Sequence, residues 1–463
     1  MPSQFARQLA TEDFRRETVA RVPANPEAAR LDPIREAFDS VVALGLRTVH
    51  LPGLRLRPGD PEAESLLDAV LAEARTRGVR VVADCALGPF DEDDRGQQRR
   101  VKEVVGGWAA RGLDGLRFGG MGWIPLWYWQ ELATDLRRVS PQMLLFGEQG
   151  EEGALDERAF EHTSGMTLAD RGMRAALEEA LARDGWRGFG VMGELFQRDG
   201  DWRTASSMVT FVDAPGLARF RSLRDDPVCH RMATLLALTA RGIPCIEASG
   251  QSEEPGGLRA DDVRALALLR QRNLAVQKGG MFMHVVAPDL LVFSRRYMGA
   301  SMVVAMNKGG ASEVHAADLP LANGTRECLL TGRAIEVSDG WATLSLEPGE
   351  VLVFERPTPA GNGRLHVEFQ LNGLHTRFGE DVFLTGDCPE LGEWDTSSPV
   401  RMEYVNGNTW CADVSFSPSC GESIAWKYLI RSAHGIVREP ILPRVGTLPE
   451  AGAIRIRDDW ARS

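Results

Sequence analysis

Short apolar runs alternate with amphipathic stretches through the first 280 residues of the chain. Such alternation is typical of β/α units that build a parallel sheet. The apolar runs predict strands at residues 46–51, 79–86, 112–123, 142–148, 208–213 and 243–248, with 5–14 as a candidate first strand. A 3.6-residue periodicity predicts helices at 62–78, 99–111, 167–183 and 228–241. This spacing predicts a TIM (β/α)8 barrel at residues 1–280.

The pattern changes beyond residue 281, where alternating apolar runs follow one another without helices between them. This arrangement predicts a small antiparallel β-sandwich domain at residues 281–356. A segment rich in proline and glycine, residues 357–363, is interpreted as a linker. Frequent turns from residue 364 onwards predict a second β-sandwich at 364–463. The fold class is therefore multidomain, with the barrel first.

Charge and hydropathy exclude some classes of partner. The chain has 65 acidic and 53 basic side chains and a formal net charge of −12, so we expect no nucleic-acid partner. No apolar run approaches the roughly 18 residues of a membrane span, so we expect no membrane partner. The N-terminus lacks the apolar segment of a signal peptide, which predicts a cytoplasmic protein, or a secreted one if the sequence is a mature form.

Cysteines and acidic clusters give no cofactor signal. The seven cysteines are odd in number and none form a C-x-x-C pair, which favours free thiols over a zinc or redox site. The acidic run at residues 91–94 lacks the glycine and the distal glutamate of a calcium loop, so we interpret it as a solvated turn. We therefore expect no cofactor.

The stretch at residues 112–123 reads GLDGLRFGGMGW. Its frame resembles the fourth barrel strand of glycoside hydrolase family 13, the α-amylase family, and especially that of cyclodextrin glucanotransferases and maltogenic amylases; the frame consists of Gly112, Asp114, Gly115 and Arg117. Residues 164–170 and 262–278 resemble further segments of these proteins. The resemblance implies that Gly119 occupies the position of the catalytic nucleophile, which Arg117 would orient.

The same resemblance implies that Glu148 is the general acid/base. A retaining glycosidase needs two carboxyl groups about 5 Å apart, and a glycine supplies none. Other sugar-contacting positions of the family are also changed here, to Pro89, Pro215 and Gly216. Calcium is possible in the family, but residues 88–98 replace the long segment that holds it, and ligands are not evident. The resemblance therefore implies an amylase-like fold whose usual machinery is lost.

Several roles stay open at this point. Glu148 could work with another carboxylate near a strand end, the candidates being Asp84, Asp213, Glu194 and Glu247. Arg117 is expected to pair with Glu148 or Asp84. An aromatic cluster follows the altered strand and is interpreted as core rather than as a sugar platform; it comprises Trp123, Trp127, Tyr128 and Trp129.

The C-terminal sandwich carries a second resemblance. Residues 381–395, DVFLTGDCPELGEWD, resemble the starch-binding domain of carbohydrate-binding module family 20. The resemblance implies that Trp394 stacks on a sugar, that Lys427 hydrogen-bonds to it, and that Arg438 replaces a second stacking tryptophan. Trp410 stands where the family has the aromatic residue of a second site. Alternatively, these tryptophans belong to the core, which is the interpretation we favour for Trp426.

Three hypotheses follow. In the first, the chain is a non-catalytic protein that binds starch, maltodextrin or cyclodextrin through its C-terminal module. In the second, it is an enzyme active on α-glucans that uses Glu148 with a rebuilt carboxylate pair. In the third, the barrel is a scaffold for a protein partner, which predicts an exposed apolar patch.

Overall fold

Eight short parallel strands form the wall of a barrel in the N-terminal part of the protein. The computed structural model describes residues 12–22, 31–87, 90–148, 156–183, 185–202, 205–214, 216–248, 256–358, 365–377, 379–406, 409–417, 423–449 and 452–461. The barrel strands are β1 (Val19–Arg21), β2 (Thr48–Leu56), β3 (Arg80–Cys85), β4 (Gly115–Gly119), β5 (Leu144–Glu148), β6 (Thr167–Leu168), β7 (Val209–Phe211) and β8 (Ile243–Glu247).

The strands pair in chain order from β1 to β6, while β8 pairs with both β1 and β7. A single parallel bridge between Ala169 and Val209 joins the two remaining edges and closes the ring. The predicted TIM barrel is therefore confirmed.

Helices surround the strands. They are α1 (Glu12–Arg15), α2 (Leu31–Ala43), α3 (Pro61–Arg77), α4 (Arg95–Ala110), α5 (Leu126–Val139), α6 (Glu157–Thr163), α7 (Arg171–Leu177), α8 (Gly190–Gln197), α9 (Phe220–Leu223), α10 (Pro227–Thr239), α11 (Ala260–Arg272) and α12 (Leu274–Lys278). Local chemistry sets the ends of α3, where the Asp60 side chain accepts hydrogen bonds from two free amides of the first turn. Gly78 ends the same helix at a φ of 63°.

None of the described helices is both long and apolar enough to cross a membrane.

Two predicted elements differ from the structure. The candidate first strand at residues 5–14 is wrong where it is described, because residues 12–15 are helical and the first strand is β1. Only three residues long, β1 is too short to produce a periodic signal. The helix predicted at 167–183 is divided: β6 occupies its start, and the Asp170 side chain caps α7 by accepting from the Met173 amide at 2.9 Å.

Antiparallel strands follow the barrel. They are β9 (Gly280–Val286), β10 (Leu290–Tyr297), β11 (Ala300–Asn307), β12 (Ser312–Ala316), β13 (Gly324–Glu327), β14 (Ala334–Val337), β15 (Ala342–Leu346) and β16 (Val351–Arg356). Four of them form a sheet in the order β16-β11-β10-β9, and the others form the pairs β12-β15 and β13-β14. The predicted segment of antiparallel strands is therefore confirmed.

The C-terminal part is built from two sheets. Its strands are β17 (Leu365–Asn372), β18 (Asp381–Gly386), β19 (Val400–Arg401), β20 (Glu403–Asn406), β21 (Thr409–Phe416), β22 (Ser423–Ser432), β23 (Gly435–Arg438), β24 (Arg444–Thr447) and β25 (Gly452–Asp459). One sheet has the order β20-β21-β17-β25, and the other has the order β19-β18-β22-β23, with β24 also on β22. Alternate residues of both sheets bury their side chains between them, as in a β-sandwich.

A buried ionic cluster joins this sandwich to the barrel. Glu368 on β17 accepts hydrogen bonds from Arg455 of its own sheet at 2.8 and 2.9 Å. The Glu368 carboxylate also lies 2.7 Å from the Lys278 ammonium and 3.4 Å from the Arg15 guanidinium, both on barrel helices. Because all four side chains are almost fully buried, these contacts hold the sandwich directly against the barrel.

Candidate functional site

Arg117 and Glu148 meet at the carboxyl ends of two neighbouring barrel strands. Arg117 lies on β4 and donates hydrogen bonds to Glu148 Oε2 from Nε at 2.8 Å and from Nη2 at 2.5 Å. Its Nη1 donates to Oδ2 of Asp84 on β3 at 2.8 Å. The predicted pairing of Arg117 is confirmed for both carboxylates at once. Glu148 is only 7% exposed, so Arg117 supplies much of its polar surroundings.

The network continues across the barrel to β1. The Asp84 Oδ1 atom lies 2.7 Å from Nε2 of His50 on β2, and Arg21 Nε donates to His50 Nδ1 at 3.1 Å. Since a guanidinium can only donate, His50 Nδ1 is the acceptor and the ring carries its proton on Nε2. Arg21, His50, Asp84, Arg117 and Glu148 thus form a polar belt across five consecutive strands.

The belt sets the charge states of its members. Burial lowers the pKa of His50 to about 4, which agrees with a neutral ring held in one tautomer. Burial alone would raise the pKa of Asp84, but the hydrogen bond of His50 and the charges around it hold the pKa below its ordinary value. Burial likewise opposes the charge of Arg117, yet Asp84 and Glu148 raise its pKa.

Sequence reasoning did not identify Arg21 and His50 as part of this site. His50 is flanked by Val49 and Leu51, where one imidazole is readily taken for a core side chain, and β1 was not recognised at all. The available signal was the presence of a polar residue inside a buried barrel strand, because a buried polar group must find a hydrogen-bond partner on a neighbouring element.

Gly119 lies at the open end of β4, in register with Glu148 on β5. It follows Arg117 by two residues, so a side chain there would point to the same face as Arg117. An added Cβ at Gly119 would meet no neighbouring heavy atom within 4 Å. By contrast, an added Cβ at Gly147 would lie 1.5 Å from the Met121 sulfur, because that side chain packs against the Gly147 backbone.

The other carboxylates proposed as partners of Glu148 have partners elsewhere. Asp213 Oδ1 accepts from the Phe220 amide at 2.6 Å, and Glu247 accepts from Arg219 at 2.6 Å. Glu194 lies on α8 and accepts from Arg187 at 3.0 Å, so its expected place near a strand end is wrong. Among these candidates, Asp84 shares the Arg117 guanidinium with Glu148. Pro89 and Pro215 lie outside the described residues.

The aromatic cluster after β4 divides into two parts. Tyr128 and Trp129 are buried, which confirms that they belong to the core. Trp127 is half-buried against Phe90. Trp123 is 65% exposed and ends the short helical turn that follows Gly120, whose φ is 66°. The core interpretation therefore does not hold for Trp123.

The acidic run after β3 contributes to local structure. The Asp94 side chain caps α4 by accepting from the Gln97 amide at 2.8 Å, and the Asp91 carbonyl accepts from Gln98 at 2.7 Å. Within the described ranges, no group of three or more histidine, cysteine or acidic side chains is placed to hold a metal ion.

In the C-terminal sandwich, Trp394 lies on a strained turn at the end of β18. Its amide donates to the Gly386 carbonyl at 2.7 Å, and its side chain is 38% exposed. Gly392, Glu393 and Trp394 all have positive φ values, of 78°, 48° and 65°. This conformation is costly for residues with a Cβ, and such strain is found most often at functional sites.

Lys427 and Arg438 share one face of the neighbouring strands. Lys427 on β22 is in register with Thr385 of β18, one residue before the Gly386 that holds the Trp394 amide. Arg438 on β23 is in register with Leu429, which follows Lys427 by two residues and so points to the same face. Lys427 is partly exposed and Arg438 is exposed, and of the two it is Lys427 that lies next to the strand position holding the Trp394 turn.

Trp410 does not share that surface. It is 7% exposed, lies on the inward phase of β21, and donates its indole N–H to the Leu374 carbonyl at 3.3 Å. The expectation that Trp410 contacts sugar is therefore not supported by its position, since the ring is covered by the core. Trp426 is also buried, as expected, and donates to Asp458 at 2.8 Å.

Comparisons with known proteins agree with both halves of this architecture. A family model described as a starch binding domain matches residues 364–452. The cyclomaltodextrin glucanotransferase of Klebsiella oxytoca is 23% identical over 391 residues, which cover 70% of this chain and 59% of that protein. The same enzyme from Bacillus sp. (strain 1011) is 20% identical over 477 residues, covering 78% and 66%. The chain therefore spans 59–66% of the length of these relatives.

Solved structures show the same fold. The γ-cyclodextrin glucanotransferase from the alkalophilic Bacillus clarkii has a TM-score of 0.63 at 16% identity, covering 97% of this chain and 99% of that chain. An α-amylase from Geobacillus thermoleovorans, solved with acarbose, has a TM-score of 0.58 at 18% identity, covering 74% and 98%. The chain is thus an α-amylase- and cyclodextrin-glucanotransferase-like protein with a C-terminal starch-binding domain.

Proposed function

We propose that this protein binds starch or maltodextrin through its C-terminal domain and does not hydrolyse it. The match to the starch-binding family supports the binding half of the proposal. The turn that presents Trp394 beside Lys427 supplies suitable chemistry, since an aromatic face packs against the apolar face of a glucose ring. Lys427 can donate to sugar hydroxyls from the adjacent strand.

One observation supports the non-catalytic half. The register partner of Glu148 on the neighbouring strand is Gly119, where a retaining enzyme of this family would have its nucleophile. The closest carboxylate in the network, Asp84, is tied to the same guanidinium as Glu148. With Arg117 on Oε2, none of the described candidates Asp84, Asp213, Glu194 and Glu247 is a free second carboxylate with which Glu148 could divide the two catalytic roles.

The non-catalytic half is tested by incubating the full chain with soluble starch and maltoheptaose and quantifying reducing ends and cyclic products. We expect no product above that of a Glu148→Gln variant prepared in parallel. Product formed by the wild type and absent with Glu148→Gln would reject this half and support the enzyme hypothesis. Adsorption to starch, measured in the same incubation, reports on the binding half separately.

A second candidate, association between two copies of the chain, is favoured by an apolar edge. Strands β23 and β24 pair with successive segments of β22, and exposed apolar side chains lie on them and on the loop between them, namely Ile436, Val437, Leu442 and Val445. An exposed strand edge with apolar side chains is a template for pairing with another strand. Light scattering of the wild type and of Val437→Lys tests this candidate: a wild-type dimer that the variant abolishes would support it, and a monomer would reject it.

A further inference from the structure

A second surface with sugar-binding character lies on the antiparallel domain, on the outer face of the β12–β15 pair. Strand β15 buries Ala342, Leu344 and Leu346 and turns its other residues outwards. The outward row begins with Trp341, just before the strand, and is otherwise polar; its members are Trp341, Thr343 and Ser345, with Glu313 and His315 opposite on β12. A single large aromatic ring therefore heads a row of hydroxyl, imidazole and carboxylate groups.

The backbone of Trp341 is held in place by the turn that precedes it. A tight turn at Asp339 and Gly340, with φ values of 50° and 79°, places Trp341 opposite Ser338. Ser338 and Trp341 exchange both backbone hydrogen bonds, at 3.0 and 2.8 Å. Asn323 fixes the turn from the side, because its Oδ1 accepts from the Asp339 amide at 2.9 Å and its Nδ2 donates to the Asp339 carboxylate at 3.2 Å. The backbone of this turn therefore has little conformational freedom left to lose when a ligand binds.

The ring is open to a ligand. Trp341 is 59% exposed, and continuing the β12–β15 register by one residue places only the small side chain of Ala317 across from it. Beyond the ring, Thr343 and His315 are hydrogen-bonded to each other at 3.0 Å and are both exposed. An apolar platform followed by groups that donate and accept hydrogen bonds matches a sugar, whose rings have apolar faces and hydroxyl rims.

From this geometry we propose that Trp341 and the outer face of β12–β15 form a second binding surface for α-1,4-glucan chains. The inference rests on the proposed function, from which it takes the class of ligand. The surface itself lies on a different domain and consists of different residues. From position 341 to 345 the row extends about 13 Å, which is long enough to follow an oligosaccharide. A second contact on the same molecule raises affinity for a polymer by making its binding partly intramolecular.

Fluorine NMR of the full chain labelled with 5-fluorotryptophan tests this surface directly. Trp341→Phe, Trp394→Phe and Trp186→Phe variants assign three resonances, and maltoheptaose is the probe. Trp186 is the control, because its side chain is exposed but lies in a loop outside this row. We expect the Trp341 and Trp394 resonances to shift in a saturable way with maltoheptaose and to stay unchanged with cellohexaose, and the Trp186 resonance to stay unchanged with both.

The two proposals fail in different ways. A Trp341 resonance that stays unchanged while that of Trp394 shifts would overturn the second surface and leave the proposed function intact. A shift at Trp341 alone would support the second surface and remove Trp394 from the proposed function. No shift at either residue would overturn both. On granular starch, we expect Trp341→Ala to lower the apparent affinity by about tenfold, with Trp186→Ala unchanged; equal affinities would contradict the inference.

Discussion

Arg117 donates two hydrogen bonds to Glu148 and a third to Asp84, so one guanidinium holds the carboxylates of both flanking strands. With His50 neutral, the belt contains two cations and two anions and is balanced within itself. The belt therefore has a structural role, because each buried charge in it is stabilised by the opposite charge of its neighbour.

Replacing Arg117 tests this dependence. In Arg117→Met, Asp84 and Glu148 would remain buried without their shared cation, so we expect a loss of about 3–5 kcal/mol in the free energy of unfolding of the barrel. Urea unfolding followed by far-ultraviolet circular dichroism measures it. Adding Asp84→Asn and Glu148→Gln to Arg117→Met removes both anions and should recover most of the loss. If Arg117→Met alone were as stable as the wild type, the stabilising role of the belt would be contradicted.

His50 makes the stability of the barrel depend on pH. Its pKa is about 4 in the folded protein, below its ordinary value of 6.5, so the folded state binds fewer protons between these values. Stability is therefore full above pH 6.5 and falls as pH drops towards 4, by on the order of 3 kcal/mol from this residue. The Asp84 pKa is also lowered, so its contribution is lost at still lower pH.

The matched variant is His50→Gln, since an amide can donate to Asp84 and accept from Arg21 without titrating. We expect its melting temperature to fall less than that of the wild type between pH 7 and pH 4.5. If the melting temperatures of the two proteins fell by the same amount over this pH range, His50 would not be the titrating group.

Replacing two glycines near Glu148 by alanine should have different effects on the stability of the barrel. Gly119→Ala fills open space, so the free energy of unfolding should stay within about 0.5 kcal/mol of that of the wild type. Gly147→Ala forces the Met121 side chain aside and should cost about 1–3 kcal/mol. Thermal unfolding compares them, and a large loss for Gly119→Ala would show that the space is occupied.

The turn at residues 392–394 should be needed for starch adsorption. An added Cβ at Gly392 would lie 2.4 Å from the Ser398 carbonyl oxygen, so Gly392→Ala should distort the turn and weaken adsorption. Glu393→Gly is the control, since glycine accepts the φ of 48° and should relieve about 1 kcal/mol of strain. Adsorption isotherms on granular starch measure both. Unchanged adsorption by Gly392→Ala would mean that the turn does not position the binding ring.

The barrel could be predicted from sequence because β2, β3, β5 and β8 each have five residues or more and are rich in apolar side chains. The strands β1 and β6 have three and two residues, and such short elements are defined by their pairing in the closed ring rather than by a local pattern. Arg117 could be placed next to its carboxylates, whereas the role of His50 depends on its contacts with Arg21 on β1, a strand that the sequence pattern did not reveal. Trp394 and Trp410 are chemically alike, and only the turn geometry and the strand phase decide which is exposed.

Depletion of the protein from solution by granular starch tests the central claim most directly. The wild type, Trp394→Ala and the control Trp186→Ala are compared as full chains, with the supernatants assayed for released sugar. We predict that the wild type and Trp186→Ala adsorb alike, that Trp394→Ala adsorbs at least about tenfold more weakly, and that none releases sugar. Equal adsorption by Trp394→Ala and the wild type, or sugar released by the wild type, would contradict it.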